Sequence, residues 1–179
     1  ERFYYVTRYV PGQSLGLVTQ QMHAKASGGG LAAAQASEAL ALAADLLGTL
    51  EMYHRGGLWH KDVKPDNIIV TGGPGQRAHL VDFGLVTSLR SAMTLTTHGT
   101  EYFRDPELVR MALKGVKVHQ IDGAKFDVYA AGAVLYSMIE NSFPAHGVLS
   151  RITRRCPDSV RWIIQRAMTE YDKRYASAA

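Results

Sequence analysis

Cysteine is nearly missing from this chain. Cys156 is the only one in 179 residues, so no internal disulfide can form, which fits a reducing, cytoplasmic setting. Its plain role is that of a small, partly buried apolar residue. Long apolar runs are missing too. Nothing approaches the roughly 18 consecutive apolar residues that span a bilayer. The first residues carry no signal-peptide pattern, so no membrane contact is expected from this segment. The seven histidines are scattered without zinc-like spacing. A strong excess of one charge is also lacking. The net charge of +4 and pI of about 9.2 fall short of a nucleic-acid binder's clustered imbalance. Arg151, Arg154, Arg155, Arg161 and Arg166 come nearest to a basic patch and read as a solvated helix face, so no nucleic-acid partner is expected. Gly28-Gly29-Gly30 lacks the interleaved spacing of a phosphate loop and reads as a joint.

What is present is ordinary globular composition, 46% hydrophobic and 20% charged, in a chain long enough for one real core. Phe3-Tyr4-Tyr5-Val6-Thr7 is aromatic and β-branched and reads as a strand that needs a partner sheet, broken by Pro11-Gly12. Leu15 to about Lys25 reads as a short helix. From Ala34 to Arg55, Leu40, Leu42, Leu46, Leu47, Leu50 and Tyr53 recur at near-helical spacing until Gly56-Gly57. Ile68-Ile69-Val70 and Ala78-His79-Leu80-Val81 flank a turn rich in Gly and Pro and read as a hairpin. Residues 85 to 106, rich in Thr and Ser, lack helical period. A loop of that length in a compact domain is usually functional. Helices are expected after Pro106, from Phe126 to Glu140 and from Asp158 to Glu170. The reading is one mainly helical domain with one small hairpin.

The chemistry is concentrated in His60-Lys61-Asp62-Val63-Lys64-Pro65-Asp66-Asn67 and in Asp82-Phe83-Gly84. Phosphoryl transfer needs a group to orient the attacking hydroxyl, oxygen ligands for Mg²⁺, and positive charge near the moving phosphoryl. Asp62, Lys64, Asn67 and Asp82 supply that set, on two loops that flank the hairpin. Any one of them alone would read as a turn former.

Together they resemble the eukaryotic-type protein kinase family, whose catalytic-loop pattern H-R-D-x-x-x-x-N is followed by D-F-G and A-P-E. The likeness runs along essentially the whole chain in family order. It includes Tyr53-His54, Gly99-Thr100-Glu101-Tyr102 before Asp105-Pro106-Glu107, Asp127-Val128-Tyr129 with Gly132, and Tyr171-Asp172-Lys173-Arg174. The implied fold is α+β and kinase-like: a helical C-terminal lobe over residues 1–179, with the N-terminal lobe absent. Residues 1–12 would be the last N-lobe strand and hinge, and 82–107 the activation segment.

The resemblance also implies roles. Asp62 would orient the substrate hydroxyl, and Lys64 would steady the γ-phosphate of ATP. Asn67 and Asp82 would hold Mg²⁺, or Mn²⁺ in its place. Thr100 would bond to Asp62 and Lys64, and both Lys64 and Thr100 are Ser/Thr-kinase features. His60 and Phe83, next to Gly84, would join an internal hydrophobic spine. Asp127 would hold the catalytic-loop backbone, and Glu107 and Arg174 would form a buried ion pair. Thr7 would be the gatekeeper, Arg8-Tyr9-Val10 would meet adenine, and Ile69 would pack beneath it. The partners implied are proteins presenting serine or threonine and the missing lobe of the same protein. The Gly-rich loop, strand lysine and helix glutamate of the family are not among these residues, so the segment alone is expected to transfer little or nothing.

Departures are few. Lys61 stands where the family has Arg, which keeps charge but loses the bidentate fork. In the family that position often grips an activation-loop phosphate, and Thr94, Thr96 and Thr97 are candidate phosphosites, with Ser88 and Ser91 behind them. Asp105 replaces Ala. The stretch from Leu108 to Lys125, with Lys114 and Lys117, reads as a solvated loop. Ser14 falls where basic-directed kinases carry an acid, while Asp66 keeps a second acidic position. The short run from Ser142 to Val148 and the alanine content point to a bacterial member. Two other classes compete: a kinase-like binding module without transfer, and a small-molecule phosphotransferase. The first would normally have lost Asp62, Asn67 or Asp82. The second would lack the docking segment 99–107.

Overall fold

The computed structural model describes residues 6–26, 29–73, 75–145 and 151–179. Five α-helices are found among them: α1 (Leu15–Ala24), α2 (Ala33–Arg55), α3 (Pro106–Leu113), α4 (Ala124–Glu140) and α5 (Asp158–Ala167). The strands are short: β1 (Gln13–Ser14), β2 (Leu58–Trp59), β3 (Ile68–Val70), β4 (Ala78–Leu80) and β5 (Thr87–Ser88).

α4 is the centre. All of its residues except Lys125 are buried, as expected of a helix apolar on every side. α2 lays Ala39, Leu42, Leu46 and Leu50 against the core, a 3-4-4 spacing that forms one helix face. α5 also packs on α4, burying Val160, Ile164 and Ala167. The close approach there depends on Gly132: a Cβ at that position would lie 2.7 Å from Ala167 Cβ and 3.0 Å from Met168 Cγ. No described helix is long and apolar enough to cross a membrane.

The expected hairpin forms, with Ile68 opposite Leu80 and Val70 opposite Ala78. It alternates buried Ile68 and Val70 with a half-buried Ile69, whose side chain faces away from the core. Two features exceed the sequence reading. β1 adds a third antiparallel strand, pairing Gln13 with Val70 and Ser14 with Ile69. β5 gives the long loop a two-residue pairing with β2. The first three residues of the expected strand at Phe3–Thr7 lie outside the described residues, and Val6 and Thr7 are irregular and exposed.

The stretch from Leu108 to Lys125 is not a solvated loop. Val118 is buried in a second apolar cluster with Trp59, Leu95, Leu108 and Phe126. Residues 91–95 run antiparallel to 116–119, with Leu95 N–H donating to the Val116 carbonyl at 2.9 Å and Val118 N–H to Met93 at 3.0 Å. Apolar burial of Val118 and Leu95 outweighs the polar composition around them. Of the five arginines, Arg151, Arg155 and Arg166 are exposed, while two have a structural part. Arg154 and Arg161 donate to the backbone carbonyls of Glu140, Ile152 and Arg154.

Candidate active site

The loop between β2 and β3 brings the chemical residues to one end of the hairpin. Lys61 sits at φ +72°, a left-handed conformation that a lysine adopts only when its surroundings hold it there. The hold comes from Asp127 at the start of α4. Its carboxylate accepts from His60 N–H at 2.7 Å, from Lys61 N–H at 3.0 Å and from the His54 ring at 3.0 Å. Asp127 is buried, so three donors offset the cost of desolvating its charge.

Asp62 follows, with both carboxylate oxygens occupied. Oδ1 accepts from the Thr100 N–H and hydroxyl, each at 3.2 Å. Oδ2 accepts from Asn67 Nδ2 at 2.9 Å and from Lys64 Nζ at 2.8 Å. Lys64 also donates to the Thr100 hydroxyl at 2.8 Å, so lysine, threonine and aspartate form one relay. Burial pushes the Asp62 carboxyl up, but the hydrogen bond and charge of Lys64, with Asn67 and Thr100, bring it below its ordinary value. The group is therefore an anion at neutral pH, suited to orienting a hydroxyl more than to taking its proton early.

Asn67 is buried and ties the loop together by donating to the Asp62 carbonyl at 2.9 Å as well. Among the described residues its own amide oxygen accepts no hydrogen bond. Its backbone carbonyl accepts from Val81 N–H at 2.8 Å, which sets the next residue, Asp82, beside the catalytic loop. Asp82 is exposed, lies at φ +63°, and uses one carboxylate oxygen to accept from Gly84 N–H at 3.2 Å. Gly99, at φ +117°, brings the docking segment onto the loop: a Cβ there would meet the Lys61 carbonyl at 3.0 Å.

His60 is fully buried, and burial lowers its pKa against the opposing pull of the Asp127 and Asp62 carboxylates. Its ring meets Phe83 edge-on at 5.9 Å, and Phe83 meets Tyr53 at 5.9 Å. Phe83 itself remains 40% exposed. Tyr53 was thus a member of this stack that the sequence reading placed only on a helix face.

The expected pairing is shared. Arg174 reaches Glu107 and holds Asp105 as its closer partner. The Asp105 contact is 2.6 Å with both side chains 1% exposed, whereas Glu107 lies 3.7 Å away and is partly exposed. Asp105 also caps α3 by accepting from Glu107 N–H at 2.9 Å, ahead of Pro106 in the first turn. An Asp immediately before Pro is an N-cap signature, and that signal was available in the sequence. Glu107 instead accepts from Tyr171 N–H at 2.5 Å. In the docking segment Phe103 is buried, while Tyr102 is exposed and stacks on Phe143 at 5.4 Å.

The remaining expected positions are less tightly built. Arg8 and Tyr9 are exposed and Val10 half-buried, in irregular chain leading to β1. Ile69 is half-buried beside Gly12. Lys61 turns its ammonium to the Thr87 hydroxyl at 3.1 Å and lies 5.2 Å over the Trp59 ring. Thr94 and Thr97 are exposed, while the Thr96 hydroxyl is buried with no hydrogen-bond partner among the described residues.

Comparison with known proteins agrees with this arrangement. The family model described as the protein kinase domain matches residues 1–175. Sperm motility kinase 2B of Mus musculus is 35% identical over 111 residues, 62% of this chain and 21% of that protein. A probable serine/threonine-protein kinase of Dictyostelium discoideum is 32% identical over 111 residues, 62% of this chain and 12% of that protein. The serine/threonine-protein kinase PknL of Mycobacterium tuberculosis is 34% identical over 108 residues, 57% of this chain and 24% of that protein. The matched stretch is thus at most about a quarter of these relatives' length.

Proposed function

The chain belongs to the protein kinase family, and we propose that it supplies the catalytic loop and docking segment of an ATP-dependent serine/threonine protein kinase. The observation that carries the reading is the Asp62 carboxylate, held as an anion by Lys64, Asn67 and Thr100. The names of the Dictyostelium and mycobacterial relatives support the choice of serine and threonine as acceptors.

In this reading a substrate hydroxyl docks along residues 99–104 and hydrogen-bonds to Asp62, displacing one of its present donors. Phosphoryl transfer passes through a loose transition state, so positioning matters more than strong base catalysis. A low-pKa carboxylate meets that need: it accepts the hydroxyl proton late, as the new P–O bond forms. Lys64 then offers its ammonium to the transferred phosphoryl while Thr100 keeps its Nζ in line. The free amide oxygen of Asn67 and the exposed carboxylate of Asp82 are hard oxygen donors that fit Mg²⁺, and Mn²⁺ as a substitute. No cluster of three or more His, Cys, Asp or Glu side chains suited to a metal stands among the described residues, so the nucleotide and water would complete the shell. When bound, the cation supplies positive charge against the phosphate oxygens. Arg8-Tyr9-Val10 would offer backbone groups to adenine, with Ile69 beneath the ring. The Gly-rich loop and strand lysine that cover the phosphates in this family are not found in the 179 residues. In this reading the groups that cover the phosphates come from outside residues 1–179, and these residues by themselves transfer little or nothing.

The test is Mg-ATP-dependent phosphate transfer to a generic Ser/Thr protein by the full-length protein, with Asp62→Asn and residues 1–179 run alongside. Asp62→Asn is expected to lower transfer by at least about a hundredfold. Full activity in that variant would sink the assignment. A folded full-length protein that neither transfers phosphate nor binds Mg-ATP would point to a binding module.

A further inference from the structure

The helices α2, α4 and α5 do not close on one another completely. Ala43 of α2, Ala131 of α4, and Ile163 and Ala167 of α5 line a cavity of about 230 Å³, and residues 175–178 run along its fourth side. Ala131 and Ala167 are buried and form the floor, and their short side chains leave the space unfilled. Ile163 is 40% exposed and marks the open side. No side chain in the lining is polar except those of Tyr175 and Ser177.

A cation stands at the rim. Arg166 lies one turn from Ile163 on the same face of α5. It lays its guanidinium over the Tyr175 ring at 4.9 Å, and its side chain is exposed. Among the described residues it has no ion-pair partner.

We propose that this cavity binds a medium-chain carboxylate, with its tail among α2, α4 and α5 and its head at Arg166. Water gains little in such a space: an apolar cavity of about 150 Å³ stays dry and takes up benzene. By that measure the present one holds a tail of roughly six to eight carbons. The lining offers the tail no polar group to desolvate on its floor, so its burial is driven by the hydrophobic effect. The rim cation then selects the head. A carboxylate pairs with Arg166, an alcohol of the same length fills the space but leaves the guanidinium unpaired, and an alkylammonium is repelled. The inference does not rest on the kinase reading, because none of these residues belongs to the loop at residues 60–67. A ligand held only by the folded helices stabilises their packing by mass action.

The experiment titrates the full-length protein with hexanoate, octanoate and decanoate below their micelle concentrations, using isothermal titration calorimetry, with 1-octanol as the neutral counterpart. Affinity is expected to rise about fourfold per methylene and to level off once the tail outgrows the cavity. Octanoate should bind about threefold tighter than 1-octanol, the size of an exposed charge pair. Arg166→Gln should remove that preference while leaving 1-octanol binding unchanged. Ala43→Phe, at a half-buried position, fills the cavity and should weaken octanoate at least about tenfold, with an unchanged far-UV circular dichroism spectrum as the folding control. The proposal is overturned by a lack of saturable binding, by binding that survives Ala43→Phe, or by affinity that climbs with chain length without levelling off. Equal affinity for octanoate and 1-octanol would overturn the assignment of the head to Arg166.

Discussion

Asp105 caps α3 with one carboxylate oxygen and grips Arg174 with the other, while Arg174 also donates to the carbonyls of Lys125 and Thr169. Removing the acid strands a buried guanidinium. Asp105→Ala is expected to cost about 3–5 kcal/mol in a urea unfolding titration. Glu107→Gln should cost about 1 kcal/mol, because that side chain is partly exposed and its contact is longer. His60 gives a pH dependence at the same scale. Its folded pKa is lowered by burial, below the unfolded value of about 6.5. The stability it contributes is therefore present above pH ~6.5 and is lost as pH falls through the folded value. His60→Phe, which keeps an apolar ring beside Phe83 and Tyr53, should flatten that acid-side loss in thermal melts taken from pH ~7 downward. The sequence marked His60, Asp62, Lys64, Asn67 and Asp82 because their spacing is local and dense. It named Glu107 for Arg174 without Asp105, because two acids lie two residues apart and only tertiary packing decides which is nearer.

Among the elements, the helices and the hairpin of β3 and β4 were legible and the two-residue strands were not. α2 and α4 declare themselves through long runs of helix formers, with α4 apolar on all sides. β1, β2 and β5 are two residues each and carry no periodicity that could be read. Their pairing exists because distant loops are brought alongside one another, as when Leu89 N–H donates to Gly57 at 2.8 Å. The contact between α4 and α5 gives the prediction at this scale. Gly132→Ala would press a methyl group to within 2.7 Å of Ala167. It should destabilise the protein by about 1–3 kcal/mol, read as a lower denaturant midpoint with an unchanged slope.

For the whole molecule, the core built on α4 and the loop at residues 60–67 are one mechanical unit. Asp127 belongs to the central helix, and its carboxylate sets the backbone of His60 and Lys61 immediately before Asp62. Activity should report this coupling through pH. Lys64 is the first influence that brings the Asp62 carboxyl down against burial. Lys64→Met should raise the Asp62 pKa and move the acid limb of the kcat/KM profile of the full-length protein to higher pH. An acid limb that stays in place would separate Asp62 from the rate.

The sequence by itself determined the chemistry and the order of its parts. Contiguous motifs need only neighbouring residues, and helix formers need only their own period. Tertiary structure decided which acid lies nearer Arg174, that Phe103 rather than Tyr102 enters the core, and that the stretch after α3 pairs with residues 91–95. It also decided that Lys61 turns to Thr87 while Lys117 faces Thr94. Each of these depends on residues tens of positions apart competing for the same buried space or the same charge. Such competition is resolved by packing and desolvation in three dimensions, and a linear pattern does not carry it.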